Sequence, residues 1–318
     1  MKNFRILNKN LFYSIIYFFL PFFLLILALI LFSLDTYFKE ALLKIKILSS
    51  PLPPLTVSRY PILKEQFIPQ ISAKGAVVLD PETKVVLYAK NPNLRFSSAS
   101  TTKIMTALTA LQTFNLNQEL VVFEQFNKGS VIGLRIGEKM TFENLLYGML
   151  LPSGNDVALT VAQNYPGGLK KFVKKMNKNA KDWYLYNTHF EDPTGLNDGN
   201  FTTSVDLARL AAVSKKNPIF SKVVSTKNKS ITDVSGTEKY DLENLNKLLG
   251  IDGIDGIKTG YTEEAGQVLV TSKTYFDTGE NKKRSIIVVV MGSVDRFSDT
   301  QSLLNLASGN ITYLSIHP

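Results

Sequence analysis

Residues 11–34 form an unbroken run of 24 positions without a charged side chain, and this run limits what the chain can become more than any other feature. Coiled at about 1.5 Å per residue, it crosses the roughly 30 Å hydrocarbon core of a bilayer with length left for tilt. Pro21 lies inside it, which a span in lipid tolerates because a kinked helix can re-satisfy the freed carbonyl. Lys2, Arg5 and Lys9 precede it with no acid among them, so the positive-inside tendency keeps residues 1–10 cytoplasmic and sends everything after Leu34 outside. A cleaved signal peptide is the rival reading. Against it, the run is longer than a signal core, and Phe32-Ser33-Leu34-Asp35 offers no small-x-small cleavage site. The expectation is one uncleaved transmembrane anchor (11–34) in the cell membrane, carrying an extracytoplasmic domain.

Pro51, Pro53, Pro54, Pro61 and Pro69 stiffen the stretch beyond the apolar run, so 35–71 is expected to be a semi-extended spacer. Residues 72–318 suffice for one well-buried domain. The chain has no cysteine, which removes disulfides and thiolate chemistry. Its two histidines are His189 and the near-terminal His317, a poor basis for a Ser-His-Asp triad or a histidine-rich metal site. No metal and no cofactor are expected. The net charge of +9 suits an anionic envelope or lipid surface, and the membrane run argues against nucleic acid as a partner. Lys170, Lys171, Lys174, Lys175, Lys178 and Lys181 fall at helical spacing opposite Phe172, Val173, Met176 and Trp183, the pattern of an amphipathic helix with a solvated face.

Two β-rich runs, 75–79 and 84–88, flank Asp80-Pro81-Glu82-Thr83 and predict an opening hairpin. Ile104, Ala107, Leu108 and Leu111 then recur at helical spacing behind Ser100, a residue type suited to a helix start. Helical patterns cover 143–151, 156–164, 169–183 and 204–215. Strand character returns at 256–261, 267–275 and 285–291, with a turn at 277–280 and a last helix over 297–306. Strands at both ends of the domain must find partners in one sheet. The predicted class is therefore α+β, an antiparallel sheet built from both domain termini with a helical insertion.

Three short segments carry the chemistry: Ser100-Thr101-Thr102-Lys103, Ser153-Gly154-Asn155 and Lys258-Thr259-Gly260. Residues three apart share a helix face, which brings Lys103 within hydrogen-bond reach of Ser100. Serine is a poor nucleophile at neutral pH, and a lysine with a reference pKa of about 10.4 is neutral in roughly one molecule in a few thousand at pH 7. The site must lower that pKa. A second cation, Lys258, brought close would do so by like-charge repulsion, helped by partial burial. Each segment alone is weak, since Ser-x-x-Lys and loop Ser-Gly-Asn are common. Their order, separation and placement at a helix start, an interhelical loop and a late strand give the joint signal its weight.

That signature resembles the S-x-x-K, S-D-N and K-T-G motifs of penicillin-binding proteins and class A β-lactamases, with Ser-Gly-Asn as the middle element. The surroundings extend the likeness: 95–106, 150–156, Asn187-Thr188-His189-Phe190, Pro193-Thr194-Gly195-Leu196 and 255–262 are similar to the serine D-alanyl-D-alanine carboxypeptidases, the low-molecular-mass penicillin-binding proteins. The resemblance spans about 72–306. It implies a β-lactamase/transpeptidase-like fold and removal of the terminal D-alanine from peptidoglycan stem peptides, with β-lactams as covalent inhibitors. It assigns Ser100 as nucleophile, Lys103 as its base, Ser153 as proton relay and Asn155 as the group orienting Lys103 and substrate. Lys258 and Thr259 would meet the terminal carboxylate, and the N–H groups of Ser100 and Tyr261, beside Gly260, would hold the oxyanion. Arg296 is a further candidate for the carboxylate, balanced evenly against a role as a surface arginine near the last helix.

His189 fits a loop-anchoring part of the family pattern better than a catalytic one. Ser98 and Thr194 depart from the family's usual proline and histidine without removing a group the mechanism needs. Many relatives continue into a further C-terminal domain that this sequence does not show. A β-lactamase is the nearest rival, but Glu243-Asn244-Leu245-Asn246 is one residue short of the Glu-x-x-Leu-Asn segment of class A enzymes. The same residues are also compatible with D,D-endopeptidase activity, and the fold with a non-catalytic wall-binding module.

Overall fold

Alternation decides the architecture. In the central strands, Val77, Leu79, Val268, Val270, Ile287, Val289 and Met291 belong to one apolar cluster, while Ala76, Val78, Leu269, Ile286, Val288 and Val290 belong to another. Side chains of a strand point alternately to its two faces, so this sheet is covered on both sides. Its strands accordingly read as continuous apolar runs. The computed structural model describes residues 18–39, 58–65, 67–277 and 281–316; expectations for 1–17, for 40–57 and for the tip of the 277–280 turn lie outside the described residues.

In chain order the elements are helix α1 (Phe18–Lys39), strands β1 (Ser58–Leu63), β2 (Gly75–Leu79), β3 (Val86–Lys90) and β4 (Arg95–Ser97), a 3-10 turn (Ala99–Thr101) and helix α2 (Thr102–Leu111). Then come β5 (Glu119–Val121), β6 (Lys139–Thr141), α3 (Phe142–Leu150), α4 (Asn155–Gln163), α5 (Gly168–Asp182), β7 (Phe201–Thr203), α6 (Ser204–Ser214) and α7 (Pro218–Val224). The chain closes with β8 (Asn228–Thr232), β9 (Lys239–Glu243), β10 (Ile254–Thr262), β11 (Gly266–Asp277), β12 (Lys282–Ser293), α8 (Arg296–Ala307) and β13 (Ile311–Ile316). The α1 helix belongs to one unit and Ser58–His317 to another.

The main sheet runs β10-β11-β12-β2-β3 with every pair antiparallel, which is the sheet from both termini that the sequence predicts. One face packs against α8, whose Leu303, Leu304 and Ala307 join the smaller cluster. The other meets the helical block α2–α7, which holds the larger one. Side-chain caps start three of these helices, α3, α6 and α7. Thr141 and Thr203 accept from the N–H groups of Asn144 and Asp206, and Asn217 caps α7, whose first residue is Pro218.

Two expectations change. The opening hairpin forms, but its second strand starts at Val86. Asp80 accepts from the N–H groups of Glu82 and Thr83, and Lys84 adopts a left-handed φ of 67°, so the turn takes two residues more than composition suggests. Residues 58–63, expected within a Pro-rich spacer, are instead a strand: β1 pairs antiparallel with β13. Pro61 is compatible with this because the ribbon has only two strands, where a proline can sit on an unpaired edge.

Candidate active site

The 3-10 turn and α2 set the first segment. Ser98 and Thr102 share a hydrogen bond between hydroxyls at 2.7 Å, and Ala99 takes a left-handed φ of 43°, so the chain enters the helix through a tight corner with Ser100 on it. Gly195 makes the corner possible from the other side. It holds φ at 89°, and a Cβ there would lie 1.8 Å from the Ala99 carbonyl oxygen, so only glycine fits.

Lys103 is fully buried and its Nζ has three neighbours: Ser100 Oγ at 3.0 Å, Asn155 Oδ1 at 2.6 Å and the Thr194 carbonyl oxygen at 2.8 Å. A neutral amine has two N–H bonds and one lone pair. The amide and peptide oxygens can only accept, so they take the two N–H bonds and leave the lone pair facing the Ser100 hydroxyl, which can donate. Once Lys103 gains a proton, all three neighbours serve as acceptors. The geometry therefore fits both states of a base that exchanges a proton with Ser100.

Burial favours the neutral state. It pushes the Lys103 pKa down to about 7, against the pull of Asp192 and Asp156, which raise it. Both carboxylates also build the walls. Asp192 accepts from the N–H groups of Thr194, Gly195 and Asn197, each at 2.6 Å, and so fixes the turn that presents the Thr194 carbonyl. Asp156 accepts from Ile132, Gly133 and Leu134, and Asn155 donates to the Lys128 carbonyl at 2.9 Å, which together pin the 128–134 loop beside the site.

Asn155 is the first residue of α4, behind Gly154 as its cap. Ser153 precedes them with φ of 70°, and its Oγ is buried without a hydrogen-bond partner among the described residues. A strained, unsatisfied hydroxyl costs stability and persists at sites where something else will use it.

On the far wall, β10 carries Lys258, Thr259 and Gly260, all buried, and the exposed Tyr261. Gly260 passes close to the Ser100 turn: a Cβ on it would stand 3.2 Å from Ala99 Cβ and 3.3 Å from the Ser100 nitrogen. Arg296, the first residue of α8, reaches back to this strand and donates from Nη1 to the Gly260 carbonyl at 2.9 Å. Its Nε is buried without a partner among the described residues. Lys258 is held well below the usual lysine range, by burial first, then by the charges of Lys103 and Arg296.

The electrostatic logic expected from the sequence is thus revised. The sequence points to repulsion by Lys258 as the force that depresses Lys103, whereas in the structure burial leads at Lys103 and repulsion acts on Lys258. The two carboxylates near Lys103 explain the direction. They raise the pKa of Lys103, and the charge that Lys103 carries lowers that of Lys258.

His189 stands apart from this cluster, its backbone paired with Phe201 and its ring against Glu191. The sequence reading missed Asp156, Asp192 and the Thr194 carbonyl. The family likeness took in Asp156 within 150–156 and Thr194 within 193–196, but gave neither a role in the site.

A serine and a half-neutral lysine at a corner between a helical block and an antiparallel sheet define a class: serine acyl-transfer enzymes that work without histidine. Residues 63–295 match the D-alanyl-D-alanine carboxypeptidase family, peptidase S11, and the chain belongs to it. It is 35% identical over 238 residues to the D-alanyl-D-alanine carboxypeptidase DacF of Bacillus subtilis, covering 72% of this chain and 60% of that protein. It is 31% identical over 263 residues to the D-alanyl-D-alanine endopeptidase of Escherichia coli, covering 80% of this chain and 84% of the relative. The solved structure of the Streptomyces K15 DD-transpeptidase aligns with a TM-score of 0.71 at 33% identity, over 77% of this chain and 100% of its own.

Proposed function

We propose that the protein is a D-Ala-D-Ala carboxypeptidase that removes the terminal D-alanine from peptidoglycan stem peptides. The observation that carries this reading is the placement of Lys103 Nζ, 2.6 and 2.8 Å from two oxygens that can only accept and 3.0 Å from Ser100 Oγ, so that the neutral amine turns its lone pair to Ser100. With a pKa of about 7 the amine is neutral in about half the molecules at pH 7, against roughly one in a few thousand for an ordinary lysine, so about a thousandfold more of the enzyme holds a competent base.

Ser100 Oγ adds to the carbonyl carbon of the penultimate D-Ala while its proton passes to Lys103 Nζ. The oxyanion that forms lies near the Ser100 and Tyr261 N–H groups; such donors contribute about 10²- to 10³-fold each in other enzymes. The C–N bond then breaks, and the leaving amine takes a proton delivered from Lys103 through the Ser153 hydroxyl. Water next adds to the Ser100 ester and gives a proton to Lys103; the bond from Ser100 Oγ to the acyl carbon then breaks, Ser100 takes that proton back, and the shortened peptide leaves as the free acid. Lys258, Thr259 and Arg296 receive the terminal carboxylate. A β-lactam acylates Ser100 in the same way, but its leaving nitrogen stays tethered to the adduct, so the ester persists. Cleavage of D-Ala crosslinks by the same groups is a second reading, favoured by the identity with the Escherichia coli endopeptidase.

The α1 helix, 22 residues with a mean hydropathy of 2.5, is long enough to cross a bilayer. We take it as the anchor of an extracytoplasmic domain. Incubating a stem pentapeptide and a crosslinked dimer with the protein, and measuring free D-alanine against dimer cleavage, tests the activity. D-Ala release lost in Ser100→Ala supports the proposal, while dimer cleavage alone transfers it to endopeptidase. Neither product from folded, wild-type protein refutes it.

A further inference from the structure

Residues 58–318 carry 30 basic and 25 acidic side chains, a net of +5. The α5 helix alone carries six lysines and one aspartate, also +5. The rest of the domain is therefore neutral overall, and its positive excess sits on a single helix.

At 3.6 residues per turn, Lys170, Lys171, Lys174, Lys175, Lys178 and Lys181 fall within an arc of about 140°. Phe172, Met176, Asn179 and Ala180 fill the opposite side and are buried. Of the six lysines only Lys178 has an ion-pair partner among the described residues, Asp182 at 2.6 Å. Like charges three and four residues apart work against a helix, and among the described residues no acidic side chain pairs with the other five. An external polyanion would.

Directly after the helix, Tyr184 and Tyr186 are 67% and 72% exposed, with their rings in edge contact at a centroid distance of 6.0 Å. Exposed tyrosine pairs suit the membrane–water boundary, where the ring sits among lipid and the hydroxyl stays wet. A dissolved phosphate polymer would engage the lysines but gives no use to the rings. The 18 residues from 40 to 57 reach at most about 60 Å when fully extended, so a domain tethered by α1 cannot leave the bilayer's neighbourhood.

We propose that the lysine face of α5, together with Tyr184 and Tyr186, docks on the anionic phospholipid surface of the membrane that anchors the domain. The setting rests on the proposed anchoring by α1; the surface itself does not include any group of the active site.

Residues 58–318 are suited to the test, because the solved Streptomyces relative consists of this domain alone. Co-sedimentation is measured with vesicles of equimolar phosphatidylglycerol and phosphatidylcholine, and with phosphatidylcholine alone. Binding is expected to the anionic vesicles only, and to weaken as salt rises. Each lysine near an anionic surface contributes roughly fivefold in partitioning, so the triple change Lys170→Glu, Lys174→Glu, Lys178→Glu should lower it by about a hundredfold or more. Tyr184→Ser with Tyr186→Ser should weaken binding while leaving its salt dependence in place. Should the glutamate variant lose penicillin labelling of Ser100, the corresponding Lys→Gln variant, which keeps good helix formers, takes its place. Equal binding to neutral vesicles, or no effect of the lysine changes, overturns the proposal. So does tighter binding to a polyglycerol phosphate polymer that ignores the tyrosines, which would assign the face to a wall polymer. Vesicle binding is read without α1 and without turnover, so its failure leaves the anchor and the enzymatic reading intact; high-pH extraction of the full chain from membranes tests the anchor separately.

Discussion

Asn155→Asp isolates the charge state of Lys103. The change keeps the shape of the side chain and places a carboxylate oxygen 2.6 Å from the amine. Lys103, with a pKa of about 7, stands some three units above an ordinary aspartate, so the proton stays on the lysine and the two form an ion pair. An opposite charge this close raises the lysine pKa by about 1–3 units. At pH 7 the neutral fraction would fall from about one half to between roughly one in ten and one in a thousand, slowing acylation of Ser100 by about 5- to 500-fold. Loss of the bond from Asn155 to the Lys128 carbonyl loosens the 128–134 loop and lowers the rate equally at every pH. The assay is the rate of labelling by a fluorescent penicillin between about pH 6 and pH 10, fitted for its midpoint and plateau. The midpoint should move up by one to three units, with much of the rate regained at alkaline pH. A lowered plateau with an unmoved midpoint would show that the protonation of Lys103 does not govern acylation.

The same geometry leads to three more expected outcomes. Gly195→Ala should cost more than about 3 kcal/mol in thermal or denaturant unfolding, since its Cβ would overlap the Ala99 carbonyl; Gly137→Ala, at a similar φ of 83° with nothing within 4 Å, should cost only about 1–2 kcal/mol of backbone strain. Ser153→Ala removes a buried, unpartnered hydroxyl, so stability should hold or rise by about 1 kcal/mol while D-Ala release falls by roughly 10²- to 10⁴-fold as the proton relay is lost. Lys258→Met should raise KM for a carboxylate-ended peptide yet leave the acylation midpoint within a few tenths of a unit, because burial and not Lys258 sets the Lys103 pKa; a midpoint that climbs toward the ordinary lysine value would restore the repulsion mechanism.

Local periodicity made much of this protein legible. Ser100 and Lys103 lie three apart on one helical stretch, and the β-rich runs at both ends could satisfy their edges only in a common sheet. What stayed hidden depends on the backbone or on distance in sequence. The Thr194 carbonyl that takes one of the lysine's N–H bonds belongs to a peptide group every residue possesses, so no side chain marks it. Asp192 and Asp156 look like ordinary loop and helix-start acids until the turns they hold are seen. The β1–β13 ribbon joins residues about 250 apart, and the five prolines between 51 and 69 hid its first strand. The role of Lys258 was missed for a different reason. Proximity of two lysines can be guessed from motif spacing, but how burial and the nearby charges divide between them depends on the folded site.

The central claim is that a neutral Lys103 takes the Ser100 proton, and the most direct test is the pH dependence of Ser100 acylation in the wild-type domain, with the adduct located by peptide mass. Because the deprotonated amine is the active form and burial lowers its pKa, the competent fraction grows as pH rises through about 7. The expected result is one adduct on Ser100, absent from Ser100→Ala, with a rate that climbs through about pH 7 and then levels. A rate that is flat or falling across that range, or an adduct on another residue, would contradict it.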